Sequence, residues 1–298
     1  MIPALCASEH AHLVAVASRS EQTASATVAQ FGCEGVVGYD ALLARADLDA
    51  VYIALPIGLH HAWAVAAARR GLHVLCEKSL AGTLAECEEI VACAQQEGVA
   101  LLEGFAYRFH PNHAAVRDAI ADGAIGDPIQ VRACFGFPPL ADGHRYDPAL
   151  GGGSLNDAGA YCVHAARLLF GAEPLSISAT LDCGAHAVDV HGAALLDFGA
   201  GRSAVLGFGF DNMYRNLYEV WGTTGVLTLN RVFSIPPNMQ ATLEIARQDG
   251  VERRPLPAAD HFLAQVDAFC IGAHDPAAVQ AWRDEALAQA RAMEGLRR

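Results

Sequence analysis

The segment LDAVYIALP (48–56) decides how the first third of the chain folds. Its apolar run is nearly continuous, which is typical of a strand covered by helices on both faces of a parallel sheet. The next segment, HHAWAVAAARRG (60–71), predicts a helix that ends at Gly71, and HVLCEK (73–78) predicts another strand. This order of elements predicts a right-handed βαβ unit.

The same unit recurs further along the chain. His73 lies 24 residues after Asp49, and the predicted strand VALLEGF (99–105) begins 26 residues after His73. Between the last two strands, Thr83 and Glu86 form the capping-box pattern that begins a helix. The repeat predicts a parallel sheet built from successive βαβ units.

A further predicted strand, HLVAVASRS (12–20), precedes these units and is followed by a predicted helix over 21–31. A buried strand that ends in Ser-Arg is typical of the second position in a nucleotide-binding sheet. Met1 stands too close to it for a preceding strand and glycine-rich loop. We therefore expect a nucleotide-binding sheet without its first strand and that loop.

The pattern changes after Phe105. Helices are predicted over 111–121, over 154–171 with Ser154 as its cap, and over 281–298. Between them lie strand-like runs at hairpin spacing, separated by Gly-rich turns: PIQVRACFGF, LSISATLD, HGAALLDF, SAVLGFGF, YEVWGT and GVLTLN. We predict a dinucleotide-binding domain over 1–105 and an α+β domain over 106–298.

Composition narrows the class of protein. The 298 residues are 53% hydrophobic and 18% charged, and the formal net charge is −13. That charge argues against a nucleic-acid partner, although a local cluster of donors can still hold a small anion. The nine cysteines form no C-x-x-C pair, and no apolar run reaches about 18 residues. We expect a cytoplasmic protein with reduced thiols and no membrane span or secretion signal.

Ser18 and Arg19 end the strand that contacts the adenosine ribose in such sheets. An acidic residue there would accept a hydrogen bond from the ribose of NAD, whereas an arginine accommodates the 2′-phosphate of NADP. A solvated arginine at a strand end is the alternative. Because Ser18 and Arg19 occur in a chain with a βαβ series, we favour NADP over NAD.

A second group of residues carries the predicted chemistry. Lys78 ends a strand whose carboxyl end faces the ligand crevice, where it could share a proton with a substrate oxygen. Asp157, Tyr161 and His164 share one face of a predicted helix, and the tyrosine hydroxyl is a suitable proton donor beside a lysine. Structural alternatives are a snorkelling lysine, Asp157 as the N3 residue of a capping box, and His164 as a core histidine. His60-His61 and His110 with His113 lack an evident third ligand, so no metal is expected.

Together these segments resemble the Gfo/Idh/MocA oxidoreductases. The resemblance is carried by VVGYDALLARADLDAVYIALPIGLHHAWAVAAARRGLHVLCEKS, GAIGDPIQVRACF, GGGSLNDAGAY and YEVWGTTGVLTLNRVFSIPP. Within the family, PPLADGHRYDPALGGGSLNDAGAY and RVFSIPP are most similar to NADPH-dependent 3-ketoreductases of dTDP-3-keto-deoxysugars. The implied fold is α/β: an N-terminally truncated Rossmann-like parallel sheet, plus an α+β domain with an open, mainly antiparallel sheet.

The resemblance also implies a set of site residues. The expected catalytic residues are Lys78, Tyr161 and Asp157. The expected cofactor contacts are Ser18, Arg19, Leu55, Pro56, His60, Glu77 and Lys78, and the expected substrate contacts are Arg145, Tyr146 and His164.

Two departures from the family pattern stand out. Ser79 occupies the place of a proline after the catalytic lysine, which removes a fixed φ. The family's first strand and Gly-x-Gly-x-x-Gly loop have no counterpart here, and Met1–Leu5 matches the helix that follows that loop. Because that strand is central in the order 3-2-1-4-5-6, the strands on its two sides would lack a shared neighbour. Unpaired backbone groups in a dry interior would cost ~1–3 kcal/mol each.

The sequence therefore predicts an NADP-dependent oxidoreductase that reduces the 3-keto group of a nucleotide-linked deoxyhexose. Other aldose or dihydrodiol dehydrogenases of the family are the enzymatic alternative. A non-catalytic member that binds a sugar or a partner without cofactor is the other alternative. The resemblance implies that the 106–298 domain binds substrate and mediates oligomerisation. The expected partners are a sugar or sugar-nucleotide substrate and a second copy of the chain, with no nucleic acid and no membrane.

Overall fold

A computed structural model describes residues 1–139 and 143–298; residues 140–142, part of the PPLADGHRY segment, lie outside the described residues. The first part of the chain alternates short strands and helices. The strands are β1 (Ala15–Ser18), β2 (Glu34–Val37), β3 (Ala50–Ile53), β4 (His73–Glu77) and β5 (Leu101–Gly104). The helices are α1 (Ile2–Ala7), α2 (Glu21–Phe31), α3 (Tyr39–Leu43), α4 (His60–Ala68) and α5 (Leu84–Gln96).

Two separate parallel sheets form this layer. β1 pairs with β2, and β3, β4 and β5 pair in sequence order. The predicted capping box at the start of α5 is present. The Thr83 hydroxyl accepts from the N–H of Glu86, and the Glu86 carboxylate accepts from the N–H of Thr83. The prediction that β1 and β3 share no neighbour is confirmed, because they belong to different sheets.

The side chains of the two-stranded sheet are partly open to solvent. All four side chains of β1 are half-buried, and three of the four in β2 are exposed. Water can therefore reach this side of the layer and satisfy backbone groups that a dry interior would leave unpaired.

The second part of the chain is an eight-stranded mixed sheet in the order β13-β12-β11-β10-β6-β9-β8-β7. β6 and β9 are parallel, and the other neighbours are antiparallel, so the predicted open, mainly antiparallel sheet is confirmed. The strands are β6 (Pro128–Gly136), β7 (Ser176–Asp182), β8 (His191–Gly199), β9 (Arg202–Gly209), β10 (Arg215–Gly222), β11 (Gly225–Asn230), β12 (Ala241–Arg247) and β13 (Gly250–Leu256).

Four helices complete the chain: α6 (Pro111–Ala121), α7 (Ala160–Phe170), α8 (His261–Gly272) and α9 (Pro276–Gly295). One face of the mixed sheet packs against α7 in a continuous apolar core that includes Val131, Leu196 and Leu206. The helix α9 returns to the first layer, where Arg283 donates to the carbonyl oxygens of Ala94 and Val99. The last helix therefore packs on the first layer although it follows the second sheet in sequence.

Candidate active site

Lys78 follows β4 and reaches the second part of the chain. Its Nζ donates to the main-chain carbonyl of Asp157 at 2.7 Å and pairs with the Asp157 carboxylate at 2.5 Å. The side chain is 9% exposed. A buried ammonium needs such partners, because an unpaired charge in this environment is strongly disfavoured.

Lys78 is also distinguished by the composition of the chain. It is the only lysine among the 298 residues, whereas arginine supplies the other 19 of the 20 basic side chains. A compact ammonium and a planar guanidinium are not interchangeable at a crowded site. Lys78 is therefore the one side chain that can place an ammonium in this cluster.

Asp157 joins two cations. Its second carboxylate oxygen accepts from Nε of Arg145 at 2.5 Å. Burial alone would raise the pKa of Asp157, but the charges of Lys78 and Arg145 outweigh it and lower the pKa to about 2. The carboxylate is therefore ionised across the neutral range and holds both cations in place.

The prediction that Ser154 caps a helix with Asp157 at N3 is wrong. Ser154 already has helical φ and ψ, and a π-helical turn (Leu155–Gly159) precedes α7. The Ser154 hydroxyl donates to Asp189 at 2.7 Å instead. Asp157 is engaged by Lys78 and Arg145, so its structural alternative as a capping residue is excluded.

Asp189 holds the start of this π-turn, and sequence reasoning did not find it. Its carboxylate accepts from the backbone N–H of Leu155 at 2.6 Å, and its carbonyl accepts from the N–H of Ser154 at 2.7 Å. Gly153 has φ +116°, and a Cβ there would lie 2.4 Å from the Asp189 carboxylate. The partners are more than thirty residues apart, so no local pattern reveals them.

Tyr161 lies one turn into the helical segment after Asp157. The Lys78 ammonium sits 4.8 Å from the centre of its ring, over the face. The expected contact between lysine and tyrosine is therefore made through the aromatic face. Edge-on contacts from Phe105 and Phe135 fix the ring at 5.5 Å and 5.3 Å. Burial, together with the charges of Glu77 and Asp157, raises the pKa of Tyr161 well above its usual value, so the hydroxyl keeps its proton.

The predicted cofactor contacts lie at the carboxyl ends of β3 and β4. Leu55 and Pro56 follow β3, and Glu77 is the last residue of β4. Glu77 accepts a hydrogen bond from the Tyr52 hydroxyl at 2.5 Å. Parallel strand ends form the crevice where ligands of such sheets bind, which is consistent with the prediction for these residues.

His60 does not line this crevice, and its predicted cofactor contact is corrected. The side chain is completely buried. Its two ring nitrogens lie 2.7 Å from the Leu55 carbonyl oxygen and 2.8 Å from the Ser79 carbonyl oxygen. A ring with both nitrogens engaged by the protein has no donor or acceptor left for a ligand.

Ser18 is the last residue of β1, and Arg19 follows it. β1 belongs to the two-stranded sheet, whereas Lys78 follows a strand of the three-stranded sheet. The Ser18 hydroxyl accepts from the N–H of Ser20 at 3.2 Å. Arg19 is exposed. An exposed guanidinium at a strand end is available to an anionic ligand.

The predicted substrate residues fall in different environments. Arg145 is 40% exposed beside Asp157. The Tyr146 hydroxyl donates to Asp211 at 3.3 Å, and its ring makes an edge-on contact with Phe210. His164 is buried, lies 2.6 Å from the Tyr107 hydroxyl and stacks on Phe105.

Burial lowers the pKa of His164 well below its usual value. A neutral, enclosed imidazole packed among aromatic rings agrees with its alternative interpretation as a core histidine. The predicted substrate contact of His164 is therefore corrected, because the side chain does not reach the surface of the crevice.

Neither a metal centre nor a membrane helix is found in residues 1–139 and 143–298. These ranges hold no group of three or more His, Cys, Asp or Glu side chains that could bind a metal ion. No helix in the same ranges is long and apolar enough to cross a membrane.

A parallel nucleotide-binding layer whose strand ends meet a Lys–Asp–Arg–Tyr cluster defines a dinucleotide-dependent oxidoreductase. Residues 1–105 match the family described as the Gfo/Idh/MocA oxidoreductase family with an NAD-binding Rossmann fold, and residues 113–228 match the Gfo/Idh/MocA C-terminal domain. The chain belongs to the Gfo/Idh/MocA oxidoreductase family.

Several relatives share most of their length with this chain. It is 44% identical over 272 residues to a dTDP-3,4-didehydro-2,6-dideoxy-alpha-D-glucose 3-reductase of Streptomyces violaceoruber, covering 90% of this chain and 80% of that protein. It is 37% identical to D-xylose 1-dehydrogenase (NADP(+)) 2 of Haloferax volcanii, covering 99% and 91%. The crystal structure of the Actinomadura kijaniata 3-ketoreductase KijD10 with NADP and TDP-benzene superposes with a TM-score of 0.93 at 38% identity, covering 99% and 92%.

Proposed function

We propose that this chain is an NADPH-dependent reductase of the 3-keto group of a nucleotide-linked deoxyhexose. The observation that carries the proposal is the buried ion-paired cluster in which Asp157 holds Lys78 and Arg145 beside the protonated Tyr161. The similarity to dTDP-sugar 3-reductases and to KijD10 over nearly the whole chain supports this substrate class.

The residues present fit the two ends of a dinucleotide. Arg19, exposed at the end of β1, suits the 2′-phosphate of NADP, and the turn after β3 with Lys78 suits the nicotinamide end. The first twenty residues contain no glycine, so the donors for the pyrophosphate are not identified among them. When bound, NADPH supplies the hydride for the reduction.

The side chains of the cluster have separable tasks. The Tyr161 hydroxyl holds the proton that passes to the substrate oxygen as the carbonyl becomes an alcohol. The Lys78 ammonium polarises that oxygen and stabilises its developing negative charge. Within residues 1–139 and 143–298, Arg145 meets Asp157 through Nε, and its two Nη groups suit the anionic part of a sugar nucleotide.

The test measures NADPH consumption with dTDP-3,4-didehydro-2,6-dideoxyglucose. The wild-type chain should consume NADPH faster than NADH, and the product should carry a 3-hydroxyl by NMR. Tyr161→Phe serves as the matched control, because it removes one oxygen and keeps the ring packing. Absence of turnover by a folded wild-type chain that binds NADPH would contradict the proposed substrate.

An aldose dehydrogenase is the second candidate, favoured by the similarity to the Haloferax volcanii D-xylose dehydrogenase. Incubation with NADP+ and D-xylose tests this candidate. If NADPH forms with D-xylose and the keto sugar is not reduced, the chain is an aldose dehydrogenase and not a 3-keto reductase. A dihydrodiol dehydrogenase has weaker support, from a Xenopus laevis relative that is 31% identical over 64% of this chain. A non-catalytic binding protein would bind sugar nucleotide in a titration without NADPH.

We also propose that the open face of the mixed sheet binds a second copy of the chain. Leu195, Val205 and Trp221 are large apolar side chains exposed on β8, β9 and β10. Arg132 and Glu219 lie 3.7 Å apart on the same face. A two-fold contact can therefore place Arg132 of one copy near Glu219 of the other. Light scattering should give a dimer, and Leu195→Arg should give a monomer; a monomeric wild type contradicts the proposal.

A cytoplasmic location is proposed from the thiols. All nine cysteines are free, and Cys76, Cys87 and Cys162 are fully buried. Burial raises the pKa of these three thiols, which keeps them protonated and unreactive. Thiol titration of the denatured, unreduced protein should find nine; fewer would indicate oxidised pairs and contradict the proposal.

A further inference from the structure

His60 is the first residue of α4 and is 0% exposed. It faces two backbone carbonyls that belong to different turns. One is Leu55, after β3, at 2.7 Å, and the other is Ser79, after β4, at 2.8 Å. β3 and β4 are adjacent parallel strands, so the histidine spans the ends of two neighbouring strands.

Each of these turns carries a residue of the proposed site. Pro56 follows Leu55 on the nicotinamide side, and Lys78 precedes Ser79. A carbonyl oxygen can only accept, and a neutral imidazole has one N–H, so the ring donates to one of these carbonyls and packs directly against the other. Burial lowers the pKa of His60 and keeps the ring neutral, with Lys78 acting in the same direction and Glu77 opposing it.

We propose that His60 is the positioning residue that fixes the turn of Lys78 against the turn of Pro56. The inference rests on the proposed function, because it takes Lys78 and the Pro56 turn as parts of one reacting site. His60 touches neither cofactor nor substrate, and it acts through the backbone. Its role is to set where the Lys78 ammonium stands relative to the nicotinamide end of the crevice.

The surroundings of Lys78 show why this tie matters. The Ser79 hydroxyl donates to the Asn156 carbonyl at 3.2 Å, and the N–H of Leu80 donates to buried Glu103 at 2.8 Å. The turn is thus held from the second sheet's side by Asn156 and from β5 by Glu103. His60 supplies the bond toward β3, so its removal frees the turn on the side that faces the cofactor.

The single lysine makes a direct test possible. Lys78 and the α-amino group are the two amines that an acetylating reagent can modify, and mass spectrometry resolves these two sites. In His60→Leu, the reagent should acetylate Lys78 at least about fivefold faster than in wild type, because the loosened turn opens more often. The α-amino group of the same molecule is the internal reference for reagent exposure.

His113→Leu is the matched control. His113 is also buried, and its ring nitrogens lie 2.9 Å from the Tyr218 hydroxyl and 3.3 Å from the Val232 carbonyl oxygen, away from the lysine turn. It should lose stability as His60→Leu does and leave Lys78 acetylation unchanged. If His60→Leu does not fold, His60→Gln against His113→Gln gives the same comparison, with one donor retained and a smaller increase.

Turnover supplies the second readout. In His60→Leu, kcat should fall about 10- to 100-fold well below the melting temperature, with KM for the sugar nucleotide changed less than about threefold. Equal Lys78 acetylation in folded His60 variants and wild type would overturn the inference. That readout needs no substrate, so failure of the proposed reaction would show separately, as absent turnover by the wild type.

Discussion

Replacing Asp157 with Asn tests the central ion pair of the site. The substitution keeps the shape of the side chain and removes the charge that two cations share at 2.5 Å each. Lys78 and Arg145 would then lie next to each other without a counter-charge. Both stability and turnover should fall, for separable reasons.

The magnitude follows from the pKa of the carboxyl. The pKa falls from 3.8 to about 2 in the folded chain. Since one pKa unit equals about 1.4 kcal/mol, the ionised carboxylate contributes about 2 kcal/mol of folding free energy. A lowered folded pKa means that this contribution is present above the unfolded pKa and is lost as pH falls through the folded pKa. About half of it should remain at pH 3.

Urea unfolding of wild type and Asp157→Asn between pH 3 and pH 8 measures this contribution. The variant should be about 2 kcal/mol less stable at pH 7, and the difference should shrink toward pH 3. Its kcat should fall about 100-fold because the Lys78 ammonium loses its fixed position. Asp147→Asn is the control, since Asp147 caps a short turn through Ala149 and Asn also caps well. A stability difference that is absent or independent of pH would refute the reasoning.

Three further predictions concern single side chains. Lys78→Met and Tyr161→Phe should each lower kcat by ~10²-fold or more with unchanged circular dichroism, and a fully active Tyr161→Phe would exclude the assigned proton donor. Arg19→Ala should weaken NADPH binding and leave NADH nearly unchanged in fluorescence titrations; equal weakening of both contradicts the 2′-phosphate contact. Burial raises the pKa of Glu103 from 4.5 to about 7. The protonated carboxyl therefore stabilises the fold below the unfolded pKa, and this stability is lost as pH rises through the folded pKa. Glu103→Gln should therefore lessen this loss between pH 5 and pH 8 by about 2–3 kcal/mol in urea unfolding, and an unchanged pH slope would show that the carboxyl is ionised throughout.

Local pattern was sufficient where an element is specified by neighbouring residues. The helix over 111–121 and the capping box of α5 occur as predicted, because each is set by contacts within one or two turns. The strands β12 and β13 and the helix α8 were not predicted. Local signals for them were present, because β12 and β13 form a tight hairpin between Arg247 and Gly250, and Asp260 caps the start of α8.

The candidate site divides in the same way. Residue types and their order identify Lys78 and Tyr161, since the chemistry of a strand-end lysine and a helical tyrosine is visible in the sequence. The structure alone decides that Asp157 holds Lys78, that Asp189 fixes the turn before α7, and that His60 is enclosed between two carbonyls.

The sequence by itself determined the class of fold, the family and the residue types of the site. It did so because apolar periodicity, turn residues and spacing act over short stretches of chain. Tertiary structure decided which charges meet, which histidines are enclosed and that β1 and β3 belong to separate sheets. These depend on contacts between residues tens of positions apart, and burial and charge pairing change the energy of a side chain by amounts that its own neighbours in sequence do not fix.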